Sequence, residues 1–64
     1  MNNIFARKQK NGNYLICNEN DGSVVTRIDK SIYPVNSDVS ARYEHPAGIE
    51  LTKCQVMDAG IDIE

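Results

Sequence analysis

Two dipeptides, Asn11-Gly12 and Asp21-Gly22, constrain this chain more than any other feature. Asn-Gly and Asp-Gly supply the positive φ values that a two-residue type I′ hairpin turn needs at both central positions. Each lies between segments rich in β-branched and aromatic residues, which predicts two consecutive hairpins. Centring the first turn on Asn11-Gly12 pairs Lys8 with Leu15, Ala6 with Cys17 and Ile4 with Glu19. Centring the second on Asp21-Gly22 pairs Glu19 with Val24, Cys17 with Thr26 and Leu15 with Ile28. Side chains alternate across a sheet, so one face of the expected three-stranded antiparallel meander carries Ile4, Ala6, Leu15, Cys17, Val24, Thr26 and Ile28. The opposite face carries Phe5, Arg7, Gln9, Tyr14, Ile16, Asn18, Val25, Arg27 and Asp29, a mixture of apolar, polar and charged side chains that cannot be wholly buried.

From Leu51 the pattern becomes helical. Thr52 as N-cap with Gln55 at N3 forms a capping box, and Leu51 with Val56 forms a hydrophobic staple. Gly60 suits the left-handed position after the last turn, with Ile61 closing on Val56 in a Schellman arrangement. The predicted helix covers Lys53 to Ala59 and is too short to persist alone, so Val56 and Met57 are expected to pack onto the sheet. His45-Pro46-Ala47-Gly48 reads as a turn, and Ile61 to Glu64 alternates as a final short strand or as a tail for a partner's edge. Residues 31–44 carry mixed signals, with Pro34 interrupting a β-like run and Val39 to Glu44 allowing a further strand. The expected architecture is therefore a single α+β domain over residues 1–64: an N-terminal antiparallel meander, further short strands and one short C-terminal helix.

Composition narrows the function. A chain of 64 residues buries only roughly 60% of the surface its unfolded form exposes, which disfavours a deep cleft. Seven Lys and Arg oppose nine Asp and Glu, so a general nucleic-acid or anionic-membrane binder held mainly by charge is disfavoured. No apolar run is long enough for a membrane span or a secretory leader, and a cytoplasmic location is the default expectation. Cys17 and Cys54 are too few for a disulfide framework and are read as small buried apolar side chains. With His45 they make too sparse a set for a metal site. His45 faces no nucleophile motif, and Glu44 with Glu50 are the nearest thing to a carboxylate pair, so no enzymatic activity is expected. No glycine-rich phosphate loop is present and no cofactor is implied.

Charge is distributed unevenly: residues 1–18 hold Arg7, Lys8 and Lys10 with no acid, while residues 43–64 hold Glu44, Glu50, Asp58, Asp62 and Glu64 against Lys53 alone. Aromatic residues and arginine over an apolar patch are what protein-binding hot spots contain. The expected partner-binding set is Phe5, Arg7, Tyr14, Ile16, Val25 and Arg27. A nucleic-acid surface of Arg7, Lys8, Lys10, Arg27 and Tyr14 is the alternative, and a homodimer formed through the same face or through free strand edges is a third.

The stretches Ser40 to Ile49, Leu51-Thr52 and Gly60 to Glu64 resemble segments of short proteins from enterobacterial phages and prophages. What the resemblance implies is a small accessory protein that acts by binding, as an inhibitor or modulator of host machinery. It carries over no functional residue.

Overall fold

The computed structural model describes residues 4–29 and 44–64. Within them lie β1 (Ile4–Lys8), β2 (Tyr14–Asn18), β3 (Glu50–Leu51), α1 (Lys53–Ala59) and β4 (Asp62–Ile63). The fold is small α+β, but the sheet is four-stranded and mixed, in the order β3-β2-β1-β4, rather than a three-stranded meander. The pairs β1·β2 and β2·β3 are antiparallel, whereas β4 runs parallel to β1. The expectation of a further strand from Val39 to Glu44 falls outside the described residues except at Glu44, which forms a single antiparallel bridge with Arg27.

The first hairpin forms, with a register one residue away from the expected one. Ala6 pairs with Ile16, Phe5 with Cys17 and Lys8 with Tyr14. The reason lies in the turn. Among the described residues only glycines adopt positive φ, so Asn11 does not take the left-handed conformation that a type I′ turn demands of it. Gln9 N–H donates to Asn13 O at 2.8 Å and Gly12 N–H to Gln9 O at 3.1 Å, closing a three-residue loop with Gly12 at φ 90°. This is the arrangement of a type I turn followed by a glycine bulge. Asn11 Oδ1 accepts from Asn13 N–H at 2.9 Å, which favours this turn locally. The loop is also braced from β3: Asn11 Nδ2 and Asn13 Nδ2 both donate to Glu50 Oε2, at 2.7 and 3.0 Å.

Because strand alternation has a period of two, a one-residue slip exchanges faces. Tyr14 and Ile16 therefore point the same way as Ile4 and Ala6, into the core, and Leu15 and Cys17 share the opposite face with Phe5 and Arg7. The second turn is also longer than expected. Asn18 N–H donates to Ser23 O at 2.8 Å and Cys17 bridges Val24, leaving the four residues Glu19 to Gly22 in the loop. This shift is of two residues, which keeps Val25 on the same face as Ile16; both are buried.

The third segment does not run on along β2. At Val25 three stretches of backbone meet in a closed ring: Val25 N–H donates to Ile16 O at 2.9 Å, Ile16 N–H to Ile49 O at 3.0 Å, and Ile49 N–H to Val25 O at 3.2 Å. Beyond the ring Thr26 and Arg27 pair with His45 and Glu44, and β3 takes over the edge of β2 opposite Tyr14 and Leu15. The pairing of Leu15 with Ile28 is thereby replaced by Leu15 with Glu50.

The helix occupies Lys53–Ala59 as its end signals dictate. Thr52 accepts from Gln55 N–H, and Gln55 Oε1 accepts from Thr52 N–H at 2.9 Å, completing the capping box. Gly60 has φ 76°, and Ile61 N–H donates to Val56 O at 3.1 Å. Since β3 and β4 are the two edges of the sheet, α1 forms the crossover between them. It buries Val56 and Ala59 against the face that also holds Ile4, Ile16, Ile49 and Leu51. Met57 does not join them: it is 64% exposed. Cys17 is fully buried, whereas Cys54, expected inside, is exposed on the helix; both are free thiols.

Candidate partner-binding face

The face of the sheet away from α1 is built by β1, β2, β4 and the segment after the second turn. Phe5 and Arg7 alternate outward from β1, Cys17 lies opposite Phe5, Val24 opposite Cys17, and Asp62 beside Phe5 across the parallel pair. Cys17 has no exposed surface, yet it is not part of the main core cluster; it belongs to a thin second layer beneath this face. Gly48, brought there by the turn in which Gly48 N–H donates to His45 O at 3.0 Å, passes so close under Leu15 and Val24 that no side chain fits.

Arg7 crosses this face. Its guanidinium carbon stands 5.3 Å from the centre of the Phe5 ring, in cation–π range, and its Nε donates to Glu64 Oε1 at 3.3 Å. Phe5 is half-buried and Arg7 retains 43% of its side-chain surface. Beside them opens a shallow groove of about 420 Å³ lined by Phe5, Glu19, Asp62, Ile63 and Glu64. The alternation of a strand fixes its main-chain rim as well. Glu64 N–H donates to Ala6 O at 2.9 Å, so the N–H and C=O of Ile63, one residue earlier, point away from β1. At the near end of the face the Asp21 carboxylate accepts from the Ser23 N–H at 3.0 Å and the Ser23 hydroxyl at 2.7 Å. These bonds hold its pKa below the usual 3.8.

Of the six residues expected to form a partner surface, Phe5 and Arg7 stand together on it. Tyr14, Ile16 and Val25 are core residues on the other side of the sheet, a direct consequence of the one-residue slip. Arg27 is exposed but sits apart, where its backbone bridges Glu44. The alternative basic set is dispersed too: Arg7 and Lys8 point to opposite faces and Tyr14 is buried. The groove-lining residues Glu19, Asp62, Ile63 and Glu64 were not among the expected site residues. Their one signal in the sequence is the alternation from Ile61 to Glu64, which marks a strand without naming its neighbour.

A second hollow, of about 340 Å³, is lined by Thr26, Glu44, His45 and Pro46. His45 Nδ1 there accepts from Ala47 N–H at 3.1 Å, a bond that shapes the turn. The carboxylates of Glu44 and Glu50 serve separate places, Glu50 bracing the first loop. Among the described residues no group of three or more His, Cys, Asp or Glu side chains could hold a metal ion, and no helix is long and apolar enough to cross a membrane. No protein-family model, no curated protein and no solved structure matches the chain.

Proposed function

We propose that the chain is a small non-catalytic binding module that acts in the cytoplasm and docks a protein partner through the face centred on Phe5 and Arg7. The observation that supports this reading is the stacked pair itself. An aromatic ring and a guanidinium are ordered against each other at 5.3 Å on a sheet face, and Val24, 43% exposed, lies on the same face. Aromatic side chains and arginine dominate the energetics of protein interfaces, and a pair held in place before binding gives up less conformational freedom on docking. Beside Phe5, Val24 takes the apolar role expected of Tyr14, Ile16 and Val25, while Ile63, paired with Ala6, turns its side chain to the other face. The carboxylates of Glu19, Asp62 and Glu64 around the ring repel a phosphate backbone, which favours protein over nucleic acid. The resemblance to phage-borne proteins favours a host protein as the partner.

Photo-crosslinking tests the reading. A benzophenone side chain replacing Phe5 is expected to capture a discrete protein in cells expressing the chain, and one replacing Asp58 on the exposed side of α1 is not. Capture from both positions alike, or from Asp58 only, removes the proposed face.

A further inference from the structure

The groove beside Phe5 combines three properties that together describe its occupant. First, it is lined by three carboxylates, and only that of Glu64 is engaged, through Arg7. Neither the Glu19 nor the Asp62 side chain takes part in a hydrogen bond or ion pair among the described residues. Secondly, these carboxylates do not converge as a metal-holding cluster; their charge is spread along the groove, which suits a long cationic side chain better than a point ion. Thirdly, the Phe5 ring gives the groove apolar surface on which the methylenes of such a side chain can lie. Arg7 displays the same chemistry from within the chain: its guanidinium lies over the Phe5 ring while its Nε donates to Glu64.

We infer that this groove receives an arginine or lysine side chain of the partner, presented on an extended segment that pairs with the outward N–H and C=O of Ile63. The inference rests on the protein-binding reading and adds the partner's chemistry to it. Main-chain pairing at a strand edge supplies affinity, and the pocket beside it supplies selectivity. Arginine is the stronger ligand, because its planar fork matches carboxylates in pairs and stacks on the ring.

The test uses the full chain, isotope-labelled, titrated with a blocked alanine peptide carrying one central arginine and with its lysine, citrulline and glutamate counterparts. The expected result is amide shifts centred on Phe5, Glu19 and Asp62 to Glu64, strongest for arginine, weaker for lysine, and absent for citrulline and glutamate. Glu19→Gln combined with Asp62→Asn should weaken arginine-peptide binding about fivefold, the loss of two exposed ion pairs. Both positions are exposed, so the spectrum and melting temperature of that variant should stay near those of the parent. Equal shifts with the citrulline peptide, arginine shifts centred elsewhere, or unchanged binding by the double variant overturns the inference. If the peptides fail while crosslinking from Phe5 stays specific, the protein-binding face survives and its preference for a basic partner does not; if both fail, the face goes too.

Discussion

A Cβ atom placed on Gly48 would stand 2.5 Å from Val24 Cγ1 and 3.2 Å from Leu15 Cδ1, so the turn after Pro46 and the segment after the second hairpin fit only while residue 48 has no side chain. Gly48 also has φ 104°, a conformation that L-residues with a side chain rarely adopt. Gly48→Ala should therefore cost about 2 to 5 kcal/mol, strain and overpacking together. That is comparable with the whole stability expected of a chain this size. Chemical denaturation should show the cooperative transition weakened or lost. Adding Val24→Ala should restore part of the loss by removing the clash, though not the φ strain. A Gly48→Ala protein as stable as the parent would show that the turn does not lie under Val24.

The register of the first hairpin makes a ranking. Ile16 has no exposed surface and faces Ile4, Ala6 and α1's side of the sheet, while Phe5 is half-buried on the other. Ile16→Ala should cost about 2 to 5 kcal/mol, and Phe5→Ala about 1 kcal/mol, because less of its surface returns to water. Thermal melting of the two variants decides: the observed register requires Ile16→Ala to melt far lower, whereas comparable melting of the two would restore the register of a two-residue turn, in which Phe5 and Ile16 share a face.

Asp21 sets an acid limb. Its carboxylate is held below the usual 3.8 by the Ser23 amide first and the Ser23 hydroxyl second. A folded-state pKa below the unfolded one means that the group stabilises the fold when ionised, so its contribution is present above about pH 4 and is lost as pH falls through the folded value. The Asp21 carboxyl should titrate below 3.8 by NMR. The stability difference between the parent and Asp21→Asn should shrink as the solution is acidified. A difference that stays constant down to about pH 2 would mean that the turn does not depend on the charge.

How much of this could be read from residues alone depends on whether the signal was local. Both ends of α1 were legible, since Thr52 with Gln55 and Gly60 with Ile61 satisfy orphan backbone groups within one turn. The presence of the first hairpin was legible in Asn11-Gly12, but its register was not: the same dipeptide serves a two-residue and a three-residue loop, and the two differ by the one residue that exchanges faces. The second turn departed by two residues, so the shared face of Ile16 and Val25 stood while its direction inverted. The partners of β3 and β4 are set by pairings over more than 30 residues, Leu15 with Glu50 and Phe5 with Asp62, which no local pattern encodes. For the same reason Phe5 and Arg7 were found as outward neighbours, and Glu19, Asp62 and Glu64 around them were not.

The ring of hydrogen bonds joining Ile16, Val25 and Ile49 has a bearing on how the chain reaches this shape. Two of its three links need the stretch at Ile49, so until that stretch arrives the early hairpins have no finished resting place of their own. A nascent chain emerging from the ribosome would have to wait for residue 49 before its sheet could lock, and formation should then be all-or-none rather than stepwise.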